Sequence, residues 1–243
     1  MVLCAGFGTR LGELTREIPK PMLPIGPAPL LGYLLGHLKF HGFDEIAINL
    51  HFRPEMIRDH FGVGSALGLR ITYSLESKLL GTAGGLKKME DFFRDEDCFL
   101  VQYGDVVTDQ DFGPLLEAHR EHRALATLLV HQRPGSNSVV TLDDNNRIVA
   151  FLERPSNQER KGQTSPWVNS GVCICSPEIF DSIPADTAAD LPRDVFRKLA
   201  GGRRLYAFPL SGYRCAIDSP TRLEEARSAI REGRCKIKPL SNH

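Results

Sequence analysis

The chain has no surplus of charge, no long apolar run and no paired-cysteine motif, and each lack removes a class of function. Thirty Lys and Arg balance thirty Asp and Glu over 243 residues, so the broad basic surface that nucleic acid or an anionic membrane requires is missing. Neither is expected as a partner, and any phosphate site must be a local cluster. No apolar stretch approaches the roughly 20 residues of a membrane span, and no charged segment precedes an apolar one at the N-terminus as in a signal peptide. These features lead us to expect a cytoplasmic protein. The six cysteines (Cys4, Cys98, Cys173, Cys175, Cys215 and Cys235) lack Cys-x-x-Cys spacing and so do not suggest zinc; lying mostly in apolar runs, they read as reduced, buried small residues. Cys173 and Cys175, two apart on an expected strand, share a face with poor geometry for a disulfide.

What is present is concentrated in residues 5–25. A short apolar run (Val2, Leu3, Cys4) leads into Ala5-Gly6-Phe7-Gly8-Thr9-Arg10-Leu11, a strand entering a loop whose backbone N–H groups suit an anion. Glycine permits positive φ and close backbone approach, and Arg10 adds a planar fork of donors matched to phosphate oxygens. Lys20, in Pro19-Lys20-Pro21, is a second cation on backbone stiffened by two prolines. The stretch is not a P-loop, because no Gly-Lys-Ser/Thr opens the helix, and it lacks the third glycine of the dinucleotide fingerprint. An ordinary Gly-rich strand-to-helix turn accounts for the first half alone but not for the Pro-Lys-Pro half.

Along the chain, β-rich runs (Glu45 to Leu50, Arg70 to Ser74, Cys98 to Tyr103) alternate with helix-period segments (Leu30 to Phe40, Pro54 to Phe61, Leu86 to Phe92, Phe112 to His122). This alternation predicts an α/β fold, Rossmann-like, with a mostly parallel central sheet flanked by helices. After Leu125 an antiparallel portion is expected: strands 125–131, 139–142 and 148–153, the last two joined by the turn Asp143-Asp144-Asn145-Asn146. Pro155 to Ser165 reads as a loop. A strand over Val168 to Cys175, helical pieces around Pro177 to Ser182 and Pro192 to Leu199, a strand over Leu205 to Pro209 and a helix over Thr221 to Arg231 follow. We see no internal repeat, no linker and no hexapeptide β-helix repeat. The expectation is one domain over 1–243, with 1–124 its nucleotide-binding part and 125–243 an added part.

With both halves of the early motif included, the sequence resembles the sugar-1-phosphate nucleotidyltransferases (NDP-sugar pyrophosphorylases), most nearly the bacterial mannose-1-phosphate and heptose-1-phosphate guanylyltransferases. The resemblance covers nearly the whole chain. Family members usually have a few more residues before the first strand, so either the start lies upstream or this strand is short. The resemblance implies attack of a sugar-1-phosphate oxygen on the α-phosphorus of a nucleoside triphosphate, with release of pyrophosphate. Two anionic reactants need positioning and charge neutralisation above all. Arg10 would hold the triphosphate and departing pyrophosphate, and Lys20 the sugar-phosphate side; as exposed-loop residues, both should matter more for turnover than for stability. Leu3, Ala5, Gly6, Gly8 and Thr9 would line the nucleotide. Asp105, where an apolar strand runs out through Gly104, and Asp218, between a strand and the last helix, would hold Mg²⁺, a hard cation that keeps several waters. The plainer reading of each aspartate is a turn or helix cap; Asp109 reads as a cap for the helix near Phe112.

For the base, the resemblance points to Glu76 and the loop around Gly81 and Thr82. An ionised carboxylate only accepts hydrogen bonds, and guanine offers two adjacent donors, so GTP is the expected nucleotide, with UTP, CTP, ATP and dTTP as alternatives and a solvated strand-end glutamate as the bland one. For the sugar phosphate, Gly104, Glu153, Arg154 and Asn169 occupy family positions. Arg154 replaces a lysine, Asn137-Ser138 stands where Tyr-Gly is usual, and Arg214 follows Tyr213 where an aromatic is common. Two of the three departures lie on the sugar side and hint at a less common sugar such as a heptose. A catalytically weak nucleotide-sugar-binding regulator remains an alternative, a glycosyltransferase fits poorly, and a homodimer is left open. His37 and His41, like His119 and His122, read as exposed helix histidines, and Arg193, Arg197, Lys198, Arg203 and Arg204 as a solvated surface.

Overall fold

In the computed structural model, which describes residues 1–133, 136, 138–160, 165–185 and 187–240, the strands are β1 Val2–Leu3, β2 Glu45–Leu50, β3 Arg70–Leu75, β4 Phe99–Tyr103, β5 Val106–Thr108, β6 Ala126–Gln132, β7 Ser138–Leu142, β8 Ile148–Glu153, β9 Trp167–Cys175, β10 Leu205–Pro209 and β11 Arg214–Ala216. The α-helices are α1 Leu30–Phe40, α2 Pro54–Phe61, α3 Gly81–Lys87, α4 Glu90–Phe93, α5 Phe112–Glu121, α6 Asn157–Arg160, α7 Arg197–Leu199 and α8 Pro220–Arg231. The chain forms two compact units: Met1–Leu79 with Gln102–Asp111 and the chain from Ser211, and Leu80–Val101 with Phe112–Leu210. It adopts the expected α/β class, mainly parallel strands flanked by helices with an antiparallel addition.

In the first unit β1 lies parallel between β2 and the end of β4, and β3 continues in parallel beyond β2. Parallel pairing brings the residues after each strand (Cys4, His51, Glu76 and Gly104) out along one edge, the carboxyl edge at which open α/β sheets bind ligands. The expected first strand is only two residues long. Helix α1 buries Leu30, Leu31, Tyr33, Leu34, Leu35 and Leu38, each such leucine contributing about 1.5–3 kcal/mol. Ser219 caps α8, its hydroxyl accepting the Arg222 N–H at 3.2 Å, and Pro220 fills the first helical position, where a missing N–H costs nothing. Strand β5, not apparent from the sequence, pairs antiparallel with β11, the strand expected before Asp218.

In the second unit β6 lies between β10, parallel, and β9, antiparallel. Strands β7 and β8 make the expected hairpin, in which the Asp143 carboxylate accepts the N–H groups of Asn145 and Arg147. Phe99 stacks on Phe93 and on Phe180, with ring centroids 4.5 and 5.5 Å apart.

The structure corrects several expectations. The helix expected over Leu86 to Phe92 begins at Gly81 and breaks after Lys87, because the Ala189 carbonyl accepts the N–H groups of Ala83 and Gly84 and so anchors an earlier start. In the expected loop 155–165, Asn157–Arg160 is a helical turn with a reciprocal cap: the Glu159 carboxylate accepts the Ser156 N–H, and the Ser156 hydroxyl accepts the Glu159 N–H. Residues 161–164 lie outside the described residues. His37 and His119 are buried. The His37 ring bonds the Gln110 carbonyl, and His119 bonds the hydroxyls of Thr127 and Ser176. The Asp109 carboxylate accepts the N–H groups of Tyr213 and Lys236.

Candidate active site

The glycine loop of the first unit starts where β1 ends. Gly8 has φ +69°, and a Cβ there would meet the Thr15 and Lys20 side chains at 3.2 and 3.3 Å, whereas a Cβ on Gly6 would meet nothing within 4 Å. The Thr15 hydroxyl donates to the Gly8 carbonyl at 2.9 Å and closes the loop. Ala5 is buried; Gly6 and Thr9 are exposed. The Leu3 carbonyl accepts the Gly104 N–H. Gly104 is required here, because a Cβ would stand 2.6 Å from the Cys4 sulfur.

Lys20 is not on an exposed loop. It sits in a short 3₁₀ turn between its prolines and donates from Nζ to Asp105 Oδ2 at 2.9 Å, with side chains only 11% and 26% exposed. Removing either partner therefore leaves an uncompensated, poorly solvated charge. Arg10 is exposed and lies 3.5 Å from Asp218 Oδ2. Asp218 is not the cap of α8, since Ser219 fills that role. The two aspartates are linked through the β5–β11 ribbon: Ala216 pairs with Val106, and the Asp105 carbonyl accepts the Ile217 N–H at 2.8 Å. Four residues far apart in sequence, Arg10, Lys20, Asp105 and Asp218, thus lie in one unit as two cation–carboxylate pairs.

Glu76, directly after β3, is not solvated: it is 5% exposed. Its Oε1 accepts from the Asn49 side-chain amide at 2.8 Å, and its backbone carbonyl bonds the His51 ring at 2.7 Å. Sequence reasoning missed Asn49, although a polar residue inside the apolar run of β2 was a signal.

The second unit carries the remaining residues. Glu153 ends β8, opposite Ser138. Burial pushes its carboxyl pKa up, and the charge of Arg154 pulls it down. Arg154 has φ +49° and its Nε stands 3.9 Å from Glu153 Oε1. Asn169 lies in β9; its N–H donates to the Ser138 hydroxyl at 3.1 Å, and its side-chain oxygen accepts the Gly171 N–H. The Ser138 departure is thus built into the strand pairing, while Asn137 lies outside the described residues. Gly81, at φ +73°, has no room for a Cβ, which would stand 2.4 Å from the Ala189 carbonyl. The Thr82 N–H and hydroxyl both face Asp190 Oδ1, at 3.3 and 3.4 Å. Asp190 is a second residue the sequence reading missed.

Asp105 and Asp218 fit a magnesium ion by donor chemistry. Both offer hard carboxylate oxygens. One or two carboxylates, with waters and substrate oxygens completing the shell, is the donor set Mg²⁺ takes. Among the described residues no helix is long and apolar enough to cross a membrane.

Comparison with known proteins places the chain in a family. The chain is 40% identical over 223 residues to a UTP–glucose-1-phosphate uridylyltransferase of Synechocystis, covering 85% of this chain and 56% of that protein. It is 34% identical over 217 residues to a mannose-1-phosphate guanylyltransferase of Mycobacterium tuberculosis, covering 88% and 59%. It therefore spans somewhat over half the length of these curated relatives. Among solved structures, a putative glucose-1-phosphate thymidylyltransferase from Bacillus anthracis superposes with a TM-score of 0.83 at 22% identity, covering 95% of this chain and 94% of that one, a likeness of fold. Residues 1–227 match the nucleotidyl transferase family, and the chain belongs to it.

Proposed function

We propose that the protein joins a nucleoside triphosphate to a sugar 1-phosphate, giving an NDP-sugar and pyrophosphate, with GTP as the nucleotide and Mg²⁺ as the ion. The observation that carries this reading is the pairing of Lys20 with Asp105 and of Arg10 with Asp218 in one unit. An oxygen of the sugar phosphate bonds to the α-phosphorus, and the bond from that phosphorus to the pyrophosphate oxygen breaks. The chain's part is to hold the reactants in line and to meet the negative charge. Arg10, exposed and forked, suits the triphosphate and the leaving pyrophosphate. Lys20, pre-positioned by Asp105, suits the sugar phosphate and the charge that develops during transfer. Leu3, Ala5, Gly6, Gly8 and Thr9 supply loop backbone for the nucleotide, and Gly81 and Thr82 are assigned to base recognition. Gly104, Glu153, Arg154 and Asn169 serve the sugar phosphate. Bound at Asp105 and Asp218, Mg²⁺ would supply further neutralisation of phosphate oxygens.

The choice of GTP rests on Glu76. A buried, acceptor-only carboxylate matches the N1–H and 2-amino donors of guanine and leaves a pyrimidine badly paired. The relatives divide on this point, one being named for UTP and one for a guanylyl transfer. Pyrophosphate release, measured with Mg²⁺ across the common nucleoside triphosphates and a panel of sugar 1-phosphates including mannose and heptose, tests the reading. Release with GTP and one sugar is expected. Strict use of UTP would overturn the nucleotide assignment alone, and stabilisation by GTP without release from any sugar would overturn the reaction.

A further inference from the structure

We infer that Asn49 is the positioning residue that fixes the Glu76 carboxylate for base recognition and thereby sets nucleotide selectivity, an inference that rests on the reading of Glu76 as the base-recognising group. Asn49 sits in β2, between Leu3 of β1 and Ser74 of β3, and is 2% exposed. Asparagine is disfavoured in strands, and burying its amide costs free energy unless both polar atoms are bonded. Both are bonded here. Asn49 Oδ1 accepts the Cys4 N–H at 2.8 Å, and Nδ2 donates to Glu76 Oε1 at 2.8 Å.

The amide orientation follows from its partners. A backbone N–H requires an acceptor and a carboxylate requires a donor, so only one placement of oxygen and nitrogen satisfies both. Asn49 consequently ties together the first residue after β1, where the glycine loop begins, and the first residue after β3. The Glu76 backbone is held separately, its N–H donating to the Leu50 carbonyl at 2.8 Å and its carbonyl bonding the His51 ring. With backbone and side chain both pinned, the carboxylate loses its rotamer freedom during folding, so little ordering remains for binding. A fixed acceptor penalises a base with mismatched donors; a mobile one swings away and discriminates less.

The test compares Asn49→Asp, Glu76→Gln and the double variant in the whole chain. Asn49→Asp keeps the oxygen that accepts the Cys4 N–H but replaces the donor facing Glu76 with a second carboxylate. The double variant restores one donor and one acceptor in swapped order. Kd for GTP and UTP by calorimetry, and kcat/KM for both, give the selectivity, while thermal melts follow the fold. Asn49→Asp should weaken GTP binding about ten-fold, the size of one lost charge-assisted hydrogen bond, and lower the GTP-to-UTP ratio with kcat little changed. The double variant should regain affinity relative to Asn49→Asp. If Glu76→Gln alters the ratio but Asn49→Asp does not, even with a lowered melting temperature, Asn49 is merely structural and the inference fails. If Glu76→Gln leaves the ratio unchanged, the reading of Glu76 fails and takes the inference with it.

Discussion

The backbone carbonyl of Asp105 accepts the N–H of Ile217 at 2.8 Å, which fixes Asp218 one residue beyond the rung that closes the β5–β11 ribbon. Two carboxylates about a hundred residues apart in sequence are thereby held by main-chain hydrogen bonding. If they serve one ion, either loss should disable the site, and the second should add little. Asp105→Asn and Asp218→Asn are each expected to lower kcat/KM about 10²–10³-fold, with the double variant no worse than ten-fold below the weaker single one. Titration of pyrophosphate release with Mg²⁺, and its abolition by chelator, checks both the non-additivity and the metal requirement.

Lys20 and Arg10 should separate in stability though not in activity. Arg10 is an exposed partner of Asp218 and contributes under about 0.5 kcal/mol to the fold. Lys20 is buried against Asp105, so Lys20→Met leaves a poorly solvated carboxylate and should cost about 2 kcal/mol. Both Arg10→Met and Lys20→Met should lower turnover at least about 10²-fold. Denaturant titration beside the kinetics distinguishes them; equal melting behaviour would contradict the burial of Lys20.

The glycine loop offers a sharper separation. Gly6 has open space around a notional Cβ, so Gly6→Ala should leave the melting temperature within about 2 °C, well under 1 kcal/mol. If its role is to admit phosphate to the backbone, kcat/KM for the nucleotide should nevertheless fall about ten-fold or more. Gly8→Ala adds a left-handed φ and crowding against Thr15 and Lys20, so it should cost about 1–2 kcal/mol of stability as well.

These differences mark what was legible in the sequence. Helix α1 and strand β2 fall where periodicity put them, because long apolar patterns and the proline and glycine around them are local signals. Strand β5 and its pairing with β11 were not visible: each strand is three residues long, and a short antiparallel ribbon between segments a hundred residues apart leaves little local trace. The Ser156–Glu159 cap was present as Ser-x-x-Glu but was masked by the polarity of its surroundings. Within the candidate site, charged residues in motifs stood out, while Asn49 and Asp190, which hold other site residues in place, carry no motif. The burial of Lys20 and His119 could not be read at all, since it depends on partners such as Asp105 and Ser176 that only the fold supplies.

His119 supplies the pH dependence. Its ring is buried between the hydroxyls of Thr127 and Ser176, and burial, aided by the charges of Arg120 and Arg204, lowers its pKa from 6.5 to about 4. In the folded state it stays neutral where the unfolded chain already takes up a proton. The unfolded state therefore binds more protons between about pH 6.5 and 4, and the stability contributed by the neutral ring is lost as pH falls through that window. The loss should be on the order of 3 kcal/mol across the window. His119→Gln, which can still bond one hydroxyl, should be less stable than the native chain at pH 7.5 but should lack this part of the acid dependence, so the two denaturation curves converge towards pH 4. Parallel curves would assign the acid sensitivity to other groups.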